Sequence, residues 1–242
     1  MFLEIKNLKV KGNGQEILKG VNLKIKKGEC QALLGPNASG KSTFVQVIAG
    51  NPKYQISRGK IIFRGKEITK LPPEKRTKLG IALAWQNPPA IKGIRLDRLL
   101  KKINLGLKGP KRKFGSKLDF DGNLLSRQVN LDFSGGEKKM SELLQVLSLN
   151  PQLVILDEID SGLDIKRLEK MARLIRKELI NKKIALLLIT HSGTILRFLK
   201  PQLTNVMLDG KIICREKNYQ KVLRVIKKYG YDKCKKCPLW AS

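Results

Sequence analysis

Two hydrophobic periods divide this chain of 242 residues. Near the start the period is two. Phe2, Glu4 and Lys6 alternate with Leu3 and Ile5, Gly12-Asn13-Gly14 supplies a turn, and Val21, Leu23 and Ile25 share one side. Residues 60–64, a Gly65-Lys66 turn and Glu67-Ile68 predict a hairpin that joins the same antiparallel sheet. Elsewhere the strands show no polar alternation. Segments 81–85, 153–156 and 184–189 are continuously apolar, 30–34 is apolar but for Gln31, and helices separate them, which predicts a parallel sheet covered on both faces.

Helical spacing predicts the covering layers. Residues 43–49 form a short apolar helix that Gly50 ends, and Leu71-Pro72-Pro73-Glu74 starts another. The stretch 96–103 is weakly helical. Residues 137–149 carry Met140, Leu143, Leu144 and Leu147 on one face. Residues 164–181 carry Ile165, Leu168, Met171, Ala172, Ile175 and Leu179 at helical spacing. A hairpin over 205–213 turns at Asp209-Gly210, and a last helix, 219–229, stops at Gly230. Residues 106–123 are glycine-rich, basic and aperiodic, which predicts a mobile loop. No internal repeat is visible.

Charge adds a constraint on partners. Fifty Lys and Arg against 20 Asp and Glu give a formal net charge of +30. That asks for a polyanion, an acidic protein or a salt-rich cytoplasm. Nucleic acid is possible but not favoured, because the basic residues are spread along the whole chain. No segment approaches the roughly 18 to 20 apolar residues that span a bilayer. With no secretory pattern at Met1–Lys6, a cytoplasmic protein without direct membrane insertion is expected. Cys30 and Cys214 stand in apolar runs and are expected in the core. Cys234 and Cys237 form one C-x-x-C in a basic tail, two thiolates where zinc or an iron–sulfur cluster usually takes four ligands. A disordered tail with incidental cysteines explains them more simply. The single histidine, His191, excludes multi-histidine metal sites.

Three stretches carry chemistry. Gly35-Pro36-Asn37-Ala38-Ser39-Gly40-Lys41-Ser42 fits the G-x-x-x-x-G-K-S phosphate loop without mismatch, and Thr43 continues it into the helix. Orphan amides and the helix dipole there favour a polyphosphate such as that of ATP. Lys41 would reach the terminal phosphates and Ser42 would ligate Mg²⁺. A chance glycine-rich turn would lack the flanking strand and helix. Segment 153–156 then delivers Asp157 and Glu158 to the end of a buried strand, where open α/β sheets bind ligands. Asp157 would hold Mg²⁺ through water, and Glu158 would polarise the attacking water. Ser134-Gly135-Gly136 opens the 137–149 helix as a second anion-binding end.

In this order, the phosphate loop, Gln86, Ser134-Gly135-Gly136, Asp157-Glu158, Ser161-Gly162-Leu163-Asp164 and His191 resemble the ABC-type ATPases over about residues 2–215. The resemblance implies an α/β P-loop NTPase fold: a mixed sheet core, an antiparallel β lobe and a small helical lobe. It places an ATPase domain over 1–230, with the helical lobe at about 87–150 and a basic C-x-x-C tail at 231–242. It also implies an ATP-dependent head-to-tail homodimer, in which Ser134, Gly135, Gly136 and Asp164 serve the nucleotide held by the other copy. Gln86 would sense Mg²⁺ and the water and connect to a partner protein, and His191 would hold the γ-phosphate. No aromatic stands near Val10 to Gln15, where the family usually stacks adenine, so selection of ATP over GTP stays open.

Finer wording narrows the branch. Residues 84–88, 129–139 and 157–165 closely resemble the ATPase of the SUF iron–sulfur assembly system (SufC). That resemblance implies a soluble SufB/SufD-like scaffold as partner. The nucleotide-binding subunit of a membrane transporter is the next reading. A nucleic-acid-processing ATPase follows, although the chain has neither a long coiled-coil insertion nor duplicated ATPase halves.

Overall fold

A computed structural model describes residues 1–106 and 124–231. The expectations for the basic stretch 107–123 and for the Cys234/Cys237 tail lie outside the described residues. Strands β1 (Leu3–Gly12) and β2 (Gln15–Ile25) pair antiparallel, with Asn13 and Gly14 at positive φ making the turn between them. Next come β3 (Cys30–Leu34), α1 (Lys41–Ala49), β4 (Gln55–Phe63) and β5 (Lys66–Glu67). They are followed by α2 (Pro73–Lys78), β6 (Ile81–Ala84) and α3 (Leu96–Leu105). After residue 124 the order is α4 (Gly135–Ser148), β7 (Leu153–Asp157), α5 (Ile165–Ile175) and β8 (Ala185–Ile189). The short α6 (Leu196–Leu199), β9 (Leu203–Leu208), β10 (Lys211–Glu216) and α7 (Tyr219–Tyr229) complete the chain.

These strands make two sheets, ordered β2-β1-β4-β5 and β10-β9-β3-β8-β7-β6. The first is antiparallel; the second is parallel except for the β9–β10 hairpin. The continuously apolar strands are explained by burial on both faces. In β7, Leu153 and Ile155 enter a core shared with α1 and the antiparallel sheet. Val154 and Leu156 point into a second core, under α3, α4 and α5. Strand β8 divides in the same way, with Leu187 on one side and Leu186 and Leu188 on the other. Alternate side chains thus feed two cores, and the buried polar pair Gln31 and Asn205 is accommodated by bonding to each other across β3 and β9.

Two local features differ from the expected pattern. The 164–181 helix is not uniform: α5 ends at Ile175, and Arg176–Ile180 widens into a π turn that still buries Leu179. The short α6 has no periodic signal, being only four residues long. Cys30 and Cys214 are buried, as expected.

The register fixes where the chemistry lands. Leu33 pairs with Ile189, Ile189 with Asp157, and Leu156 with Ala84. The carboxyl ends of β3, β8, β7 and β6 therefore stand side by side, about 4.8 Å apart. Each continues directly into a predicted site segment: the phosphate loop, His191, Glu158 and Gln86.

Candidate functional site

The phosphate loop turns from β3 into α1 against β9. A Cβ placed on Gly35 would collide with the Met207 carbonyl and sit 2.7 Å from Ser39 Oγ. Ala38 and Gly40 both take positive φ, and Gly40, at 102°, starts the helix without a side-chain cap. The first-turn amides of α1 thus face a ligand rather than the protein's own oxygens. Lys41 is buried and donates to the Pro36 carbonyl at 2.8 Å. Burial lowers its pKa, and the charges of Glu158 and Asp157 pull the other way.

A cavity of about 670 Å³ opens over the loop, a size that suits a small-molecule ligand. It is lined by Asn37, Ala38, Lys41, Ser42 and Thr43 from one side and Gln86, Glu158, Ser161 and His191 from the other. Ile17 contributes an aliphatic wall, and no aromatic side chain lines the cavity among the described residues. Three predicted residues meet in it. Glu158 Oε2 accepts a hydrogen bond from Gln86 Nε2 at 2.6 Å and lies 3.5 Å from His191 Nδ1. Glu158 itself takes positive φ, 49°, at the sharp exit from β7.

Asp157 lies buried beneath this floor, with Oδ1 unpartnered among the described residues. Burial, chiefly, and the neighbouring Glu158 charge push its pKa up to about 6; a hydrogen bond from Ser42 and the charges of Lys41 and Lys139 oppose the rise. An orphaned carboxylate oxygen beside a serine hydroxyl is a hard-oxygen donor set that fits Mg²⁺. No cluster of three or more His, Cys, Asp or Glu suited to a metal occurs among the described residues.

The signature segment is elsewhere. Ser134, Gly135 and Gly136 do not line the cavity, and neither does Asp164. Ser134 caps α4 in a reciprocal capping box: Glu137 N–H donates to Ser134 Oγ at 3.3 Å, and Ser134 N–H donates to Glu137 Oε2 at 2.7 Å. Arg127 braces the box with a 2.6 Å bond to Glu137 and a guanidinium 4.6 Å over the Phe133 ring. Asp164 caps α5, accepting from Arg167 N–H at 2.9 Å. Both segments are on the surface, with Ser134, Gly135 and Asp164 exposed.

Several contributing residues carry no sequence assignment. The buried Lys139 ammonium donates to the carbonyls of Gln86 (2.7 Å) and Glu158 (3.1 Å), tying α4 to both loops. Glu142, raised in pKa by burial, accepts from Trp85 N–H at 3.1 Å. Arg76 donates to Val47 and Ile48 carbonyls at 2.8 and 2.9 Å, and to those of Leu71 and Thr69, closing the C-terminal end of α1. Burial lowers its pKa to about 10.

Comparison with known proteins agrees with this arrangement. A family model described as ABC transporter matches residues 18–161. The chain is 43% identical over 226 residues to a probable ATP-dependent transporter, ycf16, of Cyanophora paradoxa, covering 88% of this chain and 87% of that one. It is 43% identical over 224 residues to a probable ABC transporter ATP-binding protein of Streptococcus pyogenes serotype M3, with 88% and 87% covered. A dimeric post-hydrolysis ATP-binding cassette bound to ADP and phosphate superposes with a TM-score of 0.74 at 23% identity, covering 89% of this chain and 98% of that one. That likeness shows the fold.

Proposed function

Because the chain belongs to the ABC-type ATPase family and is an ATPase that uses ATP with Mg²⁺, we propose that it drives conformational change in a soluble scaffold for iron–sulfur cluster assembly. Residues 1–230 act as one ATPase domain with a helical lobe at about 87–150, followed by a basic tail. The protein works in the cytoplasm; no helix among the described residues is long and apolar enough to cross a membrane.

The observation that carries the chemistry is the meeting of Gln86, Glu158 and His191 above Lys41 and Ser42 in one cavity. The amides of residues 35–43 cradle the polyphosphate, and Lys41 leaves the Pro36 carbonyl to reach it. Ser42, Gln86 and, through water, Asp157 would hold Mg²⁺, which would neutralise phosphate charge. Glu158 takes the proton of the attacking water once Gln86 releases its Oε2, and His191 holds the γ-phosphate. Ser134, Gly135, Gly136 and Asp164 complete the site from a second copy, head to tail, when ATP is bound. The exposure of Ser134, Gly135 and Asp164, and the absence of all four from the cavity lining of their own protomer, support that reading.

The partner reading rests on the wording of residues 129–139 and 157–165. The names of the relatives favour a second reading, the ATP-binding subunit of a membrane transporter. Affinity capture of the full chain from gently lysed native cells separates the two. A water-soluble β-helical scaffold retained in the presence of ATP supports the first; a protein with transmembrane helices supports the second and refutes the first.

A further inference from the structure

Asp160 takes no part in the site above, yet its carboxylate is only 6% exposed, two residues beyond Glu158. Burying an acid is costly unless donors satisfy it. The donors here come from one place and reach one oxygen, Oδ2; Oδ1 has no partner among the described residues. Asp160 Oδ2 accepts from Thr190 Oγ1 at 2.7 Å and from Ser192 Oγ at 2.8 Å, the hydroxyls on either side of His191. Each hydroxyl also receives a backbone amide: Gly193 N–H donates to Thr190 Oγ1 at 3.0 Å, and Thr194 N–H to Ser192 Oγ at 3.3 Å. A hydroxyl has one proton to give, so the donor directions are fixed, from amide to hydroxyl to carboxylate.

The turn that carries Asp160 is equally constrained. Ser161 donates to the Glu158 carbonyl through both its amide (3.2 Å) and its hydroxyl (2.9 Å), and Glu158 N–H donates to the Ile189 carbonyl at 3.0 Å. The His191 side chain, by contrast, is 47% exposed, so the backbone on either side must place it. Asp160 fastens that backbone to the loop that carries Glu158. An apolar residue at 160 would be easier to bury; what the carboxylate adds is a fixed distance between two loops.

We propose that Asp160 is a positioning residue: with Thr190 and Ser192 it forms a latch that keeps His191 in register with Glu158, so that both loops respond to nucleotide as one body. The proposal rests on the roles proposed for Glu158 and His191 and adds the element that couples them. It concerns turnover rather than nucleotide binding, since none of the three side chains except by way of His191 and Ser161 reaches the cavity lining.

Steady-state ATPase assays and nucleotide affinity of the full chain test the latch. Thr190→Val keeps the side-chain shape and removes the hydroxyl; it and Asp160→Ala should each lower kcat about tenfold while ATP affinity moves less than about twofold. Thr190→Ser should recover most of the loss, and the Asp160→Ala/Thr190→Val double variant should be no slower than the slower single one. Additive losses, a Thr190→Ser enzyme as slow as Thr190→Val, or a Thr190→Val enzyme at the full rate would overturn it. Should Asp160→Ala not fold, Ser192→Ala on the exposed loop and the Thr190 pair carry the same test. A fast Thr190→Val beside an inert Glu158→Gln sinks the latch alone; an active Glu158→Gln sinks the assignment of the base.

Discussion

The chain has two glycine-bearing helix N-termini suited to an anion, and they are finished in opposite ways. At α1 the start is uncapped, and the loop before it is packed into the molecule: Gly35 has no room for a Cβ beside Met207 and Ser39. At α4 the start is closed by Ser134 and Glu137, and a Cβ on Gly135 would meet nothing within 4 Å. The first glycine is required by its own protomer. The second has open space, so nothing in its own protomer requires a glycine there. The Ser134 hydroxyl accepts from Glu137 N–H and still keeps a proton to donate, so capping does not cancel its use toward an oxyanion. One end is thus packed open by its own protomer, the other capped and left clear, as the proposed head-to-tail dimer requires.

The largest expected effect lies on the α1 side. Glu158→Gln should lower turnover by about 10²- to 10⁴-fold, the range for a general base, with ATP still bound; a radiometric phosphate-release assay checks it. Next is the pair of glycines. Gly35→Ala forces a Cβ into backbone and should cost about 1–3 kcal/mol by denaturant unfolding. Gly135→Ala, in open space inside a helix, should be neutral or stabilising by up to about 1 kcal/mol. Equal losses from the two would erase the contrast.

Lys139→Met tests what secures the α1 side. It removes the ammonium from the Gln86 carbonyl and one of three donors from the Glu158 carbonyl, which keeps those of Ser161; the loss should be about 1–3 kcal/mol, seen as a fall in Tm. The smallest effect belongs to the α4 cap. Ser134→Ala should cost about 1 kcal/mol. Partial burial opposes ionisation of Glu137, but its bonds from Ser134 and Arg127 win and lower its pKa below the usual 4.5. A depressed carboxylate stabilises the fold fully above about 4.5 and loses that contribution as pH falls through its folded value. Glu137→Gln should therefore narrow its stability gap to the parent protein in acid, as pH-dependent unfolding curves would show.

How much of this was legible in sequence follows from distance along the chain. The apolar strands, the phosphate loop and the acids after β7 announce themselves because their physics is local: burial on both faces, a tight turn, a strand end. The Gln86–Glu158 contact joins residues 72 positions apart, and motif order alone could suggest it but not the 2.6 Å bond. Arg76 was illegible. It stands in the basic run Lys75-Arg76-Thr77-Lys78, which looks like a solvated helix face, and only tertiary packing turns it inward onto α1. Asp160 and Lys139 were hidden for a related reason, since a single charge carries no periodicity. The π turn after α5 kept the hydrophobic spacing of a helix and so left no trace in the pattern.

The central claim is that each protomer holds half a nucleotide site and that ATP brings in the other half. Light scattering of Glu158→Gln protein with Mg²⁺ and ATP, alone and with Gly135→Trp added, tests it most directly. The account expects twice the monomer mass for the single variant and monomer mass for the double, with both folded. Monomer mass for the single variant, or a dimer indifferent to the bulk at position 135, would contradict it.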